Sequence, residues 1–161
     1  MPTTTNTIVG KQQNTFRLVS EETSVRWRQK VGPVTVTANT YDAGEVVTVD
    51  LSSGILRRPN TNVEKGKIYG VAFETHKPEL DECAAAGLGT WIINPHVGQI
   101  SDAIHSIAAS ATAGAKLYFD QSASSKRWTS TSGANTGVML AYLLRRMGNW
   151  IEYYWVGVDN A

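Results

Sequence analysis

Hydrophobic and polar residues alternate in short stretches along most of the chain. Residues 15–19 and 24–28 place apolar side chains at every second position, which is the period of half-buried strands. Further stretches rich in β-branched or apolar residues follow, each bounded by Gly, Asn, Asp or Ser: 34–37, 45–50, 54–57 and 67–73. Short strands separated by turn residues over most of a chain predict an all-β protein, a small barrel or a sandwich.

Two windows depart from the strand pattern. Residues 76–87 predict one or two helical turns, with Pro78 near the start, acidic residues in the first turn and Gly87 as the stop. Residues 101–108 are compatible with a short helix or a strand, and their propensities do not decide between them. Residues 1–13 are polar with little to bury, so we expect either an extended arm that reaches a neighbouring molecule or a frayed terminus.

The chain contains an internal repeat with a spacing of about seventy residues. Residues 43–50 recur as 113–120, and each copy continues with a Ser-rich turn, a basic strand, a polar loop and a Gly-Val pair. Four glycines mark equivalent places in the two copies: Gly44, Gly70, Gly114 and Gly137. The first of each pair, Gly44 and Gly114, is predicted to turn the chain sharply into a strand, whereas Gly70 and Gly137 suit a bulge or a close backbone approach. We expect the two units to pair their edges and close a small barrel.

The bulk composition narrows the function classes. The 161 residues carry 15 basic and 14 acidic side chains, and a net charge of +1 without a long basic cluster does not favour nucleic-acid binding. The single cysteine, Cys83, excludes an intrachain disulfide. No apolar stretch approaches the ~18 residues of a membrane helix, and the N-terminus has no signal-peptide pattern. We therefore expect no membrane partner and folding in a cytoplasm.

No residue pattern predicts catalysis or a cofactor. The histidines are His76, His96 and His105, and none has the paired spacing of a zinc site with Cys83. A catalytic set of Asp102, His105 and a Ser or Cys nucleophile is not favoured, because no Gly-x-Ser-x-Gly elbow surrounds any serine. We predict a protein that is not an enzyme and holds no metal.

The last strand is the strongest candidate for contact with a partner. Residues 150–158 place aromatic or aliphatic side chains on both faces, whereas a half-exposed strand leaves one face polar. Trp and Tyr are favoured anchors of protein interfaces. The predicted subunit-interface residues are Trp150, Tyr154 and Trp155, and the alternative is that stacked aromatic residues bind a sugar.

The repeat also carries a family resemblance. The stretches 43–49, 70–72, 113–120 and 137–142 resemble the Ala-Gly-x-Val-Val-Val, Gly-Val-Ala, Ala-Gly-x-x-Val-Tyr-Trp-Asp and Gly-Tyr-Ala segments of the capsid cement, or head decoration, proteins of tailed bacteriophages. The resemblance covers roughly residues 41–158. The N-terminal forty residues and residues 75–107 are longer than the corresponding parts of the family.

The resemblance implies a β-barrel or β-tulip-like subunit that binds the major capsid protein on the outside of the virion, commonly as a homotrimer, and braces the shell against the pressure of the packaged DNA. It brings no catalytic residues and no cofactor. The organisation that we predict for this chain is an N-terminal arm with leading strands over 1–33 and a β-barrel or β-tulip-like capsid-binding domain over 34–161. The candidate capsid contacts of the arm are Thr5, Ile8, Val9, Lys11, Phe16 and Arg17.

Overall fold

The protein is all-β, as the sequence predicts, in a computed structural model of the chain. The structure describes residues 15–19, 26–59, 68–77, 87–102, 105, 107–120, 127–131 and 139–156. Within these residues, eleven strands form two antiparallel sheets that curl into a half-barrel. The strands are β1 (Phe16–Leu18), β2 (Arg26–Lys30), β3 (Val46–Val49), β4 (Leu56–Arg57), β5 (Tyr69–Ala72), β6 (Leu88–Ile92), β7 (His96–Ser101), β8 (Lys116–Asp120), β9 (Arg127–Thr129), β10 (Met139–Met147) and β11 (Trp150–Trp155).

The sheet orders place the two predicted repeat units in different sheets. The five-stranded sheet has the order β2-β6-β5-β3-β4, and the six-stranded sheet has the order β1-β7-β11-β10-β8-β9. Strands β3 to β6 therefore share their topology with strands β8 to β11, and we call these the first and second units. The leading strands β1 and β2 form one edge of each sheet.

Matching hydrogen bonds confirm the predicted role of the two turn glycines. The amide of Gly44 donates to the Ala72 carbonyl at 2.8 Å, and the amide of Gly114 donates to the Leu143 carbonyl at 2.8 Å. Both glycines have a positive φ, 91° and 87°, which side chains with a Cβ rarely adopt. The chain thus enters β3 and β8 through the same kind of turn.

The register corrects the sequence alignment of the two units. Gly70 opposes Val47, and the corresponding pair in the second unit is Ala141 and Leu117. The counterpart of Gly70 is therefore Ala141, and the predicted counterpart Gly137 lies outside the described residues. The prediction of a close approach at Gly70 is confirmed, because a Cβ there would lie 2.6 Å from the Ile92 carbonyl oxygen.

The five-stranded sheet curls until its two edges meet. Val31, which directly follows β2, forms a parallel bridge with Leu56 of β4. The inner face of this curl holds one of the two hydrophobic clusters, built from Val31, Tyr41, Val47, Leu56, Ala72 and Trp91.

The six-stranded sheet curls around the outer face of the five-stranded sheet. Both of its edges reach the same turn: Thr15 Oγ1, before β1, donates to the Ala43 carbonyl at 2.5 Å, and Trp128 Nε1, on β9, donates to the Gly44 carbonyl at 2.8 Å. The larger core cluster fills the space between the sheets. No described strand pairs with a strand of the other sheet, so the expected barrel closed by pairing the edges of the two units is corrected: each sheet curls separately.

Three further predictions have different outcomes. The predicted strand at 34–37 is wrong, because amide-to-carbonyl bonds from Val36 to Pro33 and from Asn39 to Val36 wind this segment into a turn and a short 3-10 helix, Thr37–Asn39. The predicted helix at 76–87 falls mostly outside the described residues, although Gly87 has the positive φ of 68° expected at its stop. The arm at 1–13 lies wholly outside them.

Candidate functional site

The outer face of the six-stranded sheet carries four aromatic side chains that are not buried. We call Tyr118, Tyr142, Trp150 and Tyr154 the outer aromatic face. Side chains alternate along a strand, so on β11 Ile151, Tyr153 and Trp155 enter the core while Trp150 and Tyr154 point outward. Tyr154 is 40 % exposed and directly opposes Tyr142 on β10.

A polar row crosses the same face, one residue from each of four neighbouring strands. The register places Arg17, Gln99, Glu152 and Arg145 in line across β1, β7, β11 and β10. Gln99 Nε2 donates to Glu152 Oε1 at 3.1 Å, and Arg145 Nε donates to Glu152 Oε2 at 3.0 Å. Glu152 is thus held between an amide and a guanidinium, which fixes the centre of the face.

The pKa of Glu152 is lowered by these partners. Burial is the largest single influence and raises the pKa, but the hydrogen bonds from Arg145 and Gln99 and the charge of Arg145 together outweigh it. The carboxylate therefore stays charged at neutral pH, and the row keeps one negative charge among its arginines.

Arg17 covers one member of the outer aromatic face. Its guanidinium carbon lies 3.8 Å from the centroid of the Trp150 ring, a cation–π contact. Arg17, predicted as a capsid contact of the arm, is exposed and lies on this face. Trp150 and Tyr154, predicted as interface anchors, lie there as well. The structure therefore brings together three of the residues singled out from the sequence.

The same positions are buried in the first unit. Val46, Val71 and Ile92 form one cross-strand row that packs into the core between the sheets. The equivalent row of the second unit is Lys116, Tyr142 and Tyr154; Lys116 and Tyr154 are exposed and Tyr142 is half-buried. The face that the first unit buries with aliphatic residues is therefore partly exposed in the second unit, where two tyrosines and a lysine occupy it.

Trp155 is a core residue, so the prediction that it anchors a partner is wrong. Its side chain is fully buried, its Nε1 donates to the Ile93 carbonyl at 3.0 Å, and its ring stacks on His96. The sequence pattern placed Trp155 and Tyr154 together, but strand alternation sends them to opposite faces. Phe16 is likewise buried, in edge contact with Phe73, and this corrects its place among the capsid contacts.

The remaining predicted arm contacts cannot be placed. Thr5, Ile8, Val9 and Lys11 lie outside the described residues. They stay predictions.

The residues considered for catalysis are engaged in structural contacts. The Asp102 carboxylate accepts a hydrogen bond from Arg146 Nη1 at 2.7 Å, and His105 Nδ1 accepts one from the Trp128 amide at 3.2 Å. His96 shares a hydrogen bond of 2.7 Å with the Tyr153 hydroxyl, and burial lowers the pKa of His96 to about 4. His76 is bonded to the Gly32 carbonyl. None of these contacts assembles a nucleophile with a base.

Within the described parts of the chain, no group of three or more His, Cys, Asp or Glu side chains is arranged to hold a metal ion. Nor do those parts contain a helix of the length and hydropathy needed to cross a membrane. In comparisons with known proteins, no family model, no curated protein and no solved structure matches the chain.

Proposed function

We propose that this chain is a non-enzymatic decoration protein of a tailed-bacteriophage capsid, which binds the major capsid protein on the outer shell and self-associates, with a trimer as the expected state. The observation that carries the proposal is the outer aromatic face. Within the described residues, it is the partly exposed counterpart of a face that the first unit packs into the core. Aromatic residues flanked by arginine are typical of protein interfaces.

Several features of this face suit a protein partner. It lies on a sheet whose strands are held in register, so its side chains are presented without a large ordering cost. Glu152 and its two hydrogen-bonded neighbours give it a fixed polar centre among the aromatic rings. Three copies in one oligomer would make three modest contacts with a symmetric shell, and multivalency would strengthen attachment without any single strong contact.

The test uses the full chain and a double variant of the face, Tyr142→Asp with Tyr154→Asp. We expect the wild type to sediment as a trimer and to bind expanded, mature shells of the phage that encodes it but not precursor shells. The double variant should sediment as a monomer and lose at least tenfold in shell affinity. Leu51→Asp is the matched control, because Leu51 is an exposed hydrophobic residue in a turn of the other sheet.

The outcomes separate clearly. A wild-type protein that is monomeric and indifferent to expanded shells would refute the proposal. Equal losses in the double variant and in Leu51→Asp would show that added negative charge, and not the face, decides association.

A second candidate function is carbohydrate binding on a virion surface. Aromatic rings beside the hydrogen-bonding groups of Gln99, Glu152 and Arg145 favour it, because sugars stack on rings and hydrogen-bond to such groups. The Arg17 guanidinium over Trp150 disfavours it, since that ring face is already occupied. A glycan array decides: sugar binding that Tyr154→Ala abolishes while self-association persists would favour this function.

A further inference from the structure

The outer aromatic face is bordered by three cationic side chains. Arg17 on β1, Lys116 on β8 and Arg145 on β10 are all exposed. Four strand spacings of ~4.8 Å lie between β1 and β8, so these cations extend over about 20 Å of the sheet. Tyr142 and Tyr154 lie between the two ends, on the central strands β10 and β11. We call Arg17, Lys116 and Arg145 the cationic border.

The chain itself neutralises little of the charge of this border. Among the described residues, no carboxylate pairs with Arg17 or Lys116. Arg145 donates to the Glu152 carboxylate from Nε at 3.0 Å and from Nη2 at 3.3 Å, and its Nη1 bonds to no described acceptor. The border therefore keeps charged hydrogen-bond donors that are available to a partner.

Arg17 is also held in position before a partner binds. Its guanidinium carbon lies 3.8 Å from the centroid of the Trp150 ring, and Trp150 stands on a regular ladder between β7 and β10. A side chain that is already ordered loses less conformational entropy on binding. Contact with this arginine is therefore less costly than contact with a mobile surface cation.

The rest of the face does not offset the border. Glu152 is the one carboxylate of the face whose side chain the structure describes, and Arg145 matches its charge. Further along β8, Asp120 directly opposes Arg127 of β9, so the register sets one acid against one base there. The border thus gives the face an excess of positive charge. Two such faces repel each other, whereas an acidic surface complements this one.

We propose that the cationic border binds an acidic surface of the major capsid protein. The inference rests on the proposed function and adds the chemistry of the partner surface. Exposed ion pairs are individually weak, but three in each subunit of an oligomer on a symmetric shell strengthen one another through multivalency. Complementary charge also steers the chain toward the shell and makes its attachment sensitive to salt.

The first experiment measures the salt dependence of attachment. The full wild-type chain is bound to expanded shells of the phage that encodes it at ~50 and ~500 mM NaCl. We expect the affinity for shells to fall at least tenfold at the higher concentration, while the sedimentation of the chain alone stays unchanged. Shell affinity that is independent of salt would overturn the proposal.

The second experiment reverses the charge of the border. Arg17→Glu with Lys116→Glu should lower shell affinity at least tenfold and should sediment as the wild type does. Lys116→Glu alone, which leaves Arg17 over Trp150, should lower it at least threefold. The matched control is Arg28→Glu with Lys30→Glu, the same charge change at exposed positions of the other sheet, and we expect less than a twofold loss. Equal losses in the two double variants would show that net charge, and not the border, decides attachment.

The third experiment changes the shell. Coupling a neutral amine to the carboxylates of expanded shells should abolish attachment of the wild-type chain, whereas acetylation of the shell lysines should leave it intact. Electron microscopy of both preparations shows whether the modified shells are still whole. Undiminished binding to whole shells with amidated carboxylates would overturn the proposal.

This proposal and the proposed function fail in different ways. A wild-type chain that binds no expanded shell would overturn both. Normal shell binding by the double border variant, together with the loss expected for Tyr142→Asp with Tyr154→Asp, would overturn only the present proposal. A border variant that sediments as a monomer would assign the border to a second copy, and a single-stranded oligonucleotide that binds more tightly than the shells do would assign it to phosphate. Either result would overturn the proposal as well.

Discussion

The two units share a topology and an apolar inner face, but their outer faces differ. In each unit the inner face of the curl is apolar, with Val47, Ala72 and Trp91 matched by Leu117, Leu143 and Tyr153. The outer face of the first unit is apolar too, because the second unit curls around it. Among the described residues, the outer face of the second unit is not packed against another sheet, and it is aromatic and polar.

The binding surface that we propose follows from this difference. Strand alternation gives every sheet two faces, and the fold needs only one of them for the core of the second unit. The other face is then available for a partner without loss of packing. The equivalence of the units identifies that face, because the first unit shows what the same positions look like when they are covered.

The largest expected effect comes from breaking the inner face of the second unit. Trp128→Ala should lower the free energy of unfolding by about 4 kcal/mol, because it leaves a large cavity and removes the hydrogen bond to the Gly44 carbonyl that joins the units. Urea denaturation followed by circular dichroism measures this. The outer-face variant Tyr154→Ala should cost below about 1 kcal/mol, and similar losses in the two variants would contradict the assignment of faces.

The second prediction concerns the pH dependence of the free energy of unfolding, which two buried groups control, Glu45 and His96. Burial raises the pKa of Glu45 from 4.5 to about 7, although the charge of Arg58 opposes the shift, and burial lowers the pKa of His96 from 6.5 to about 4. As pH rises from 4.5 to 7, the unfolded chain ionises Glu45 before the folded chain does, so stability is lost. As pH falls from 6.5 to 4, the unfolded chain protonates His96 first, so stability is also lost.

The two slopes oppose each other between pH 4.5 and 6.5, and the wild type should be nearly flat there. Glu45→Gln should lose about 2.5 kcal/mol as pH falls through this window, and His96→Gln should lose a similar amount as pH rises through it. Urea denaturation at three pH values within the window measures both slopes. Parallel pH profiles in the wild type and both variants would refute the opposing roles.

The third effect compares the two turn glycines. Gly114→Ala should cost about 1 kcal/mol, the strain of a left-handed backbone with a Cβ, since nothing lies within 4 Å of the added atom. Gly44→Ala should cost about 3 kcal/mol, because its Cβ would also lie 2.9 Å from the Thr15 carbonyl oxygen. Thermal unfolding of both variants measures these losses of stability. Equal losses would mean that β1 moves away from the added Cβ at little cost in free energy.

The sequence predicted the all-β class, several of the strands and the repeat, because these depend on local patterns. Period-2 alternation placed β1 near residues 15–19, and the repeat placed the start of β8 after Gly114, because left-handed turns select glycine directly. The alignment of Gly70 with Gly137 failed because it rested on a shared Gly-Val pair, whereas the ladder of β8 and β10 places Ala141, four residues further along, opposite Leu117. The sequence likewise could not show how each sheet curls.

The candidate site was predictable only in part for a related reason. An aromatic stretch such as residues 150–155 indicates two apolar faces, but not which one the rest of the chain covers. Trp155 and Tyr154 are neighbours on β11, and the packing of the first unit decides which of the two is buried.

The smallest expected effect concerns two consecutive arginines of β10. Arg145 pairs with Glu152 on the outer face, and its side chain is 63 % exposed, so Arg145→Ala should cost about 0.5 kcal/mol. Arg146, 25 % exposed, is bonded to Asp102 and donates to the carbonyls of Ile107 and Ala108. Arg146→Ala should lower the free energy of unfolding by about 2 kcal/mol, because it leaves one carboxylate and two carbonyl groups without their hydrogen-bond donor. Urea denaturation measures the stability of both variants. Because they remove the same charge from adjacent positions, the difference between them isolates the contribution of the outer face. A larger loss of stability for Arg145→Ala would mean that the polar row stabilises the fold.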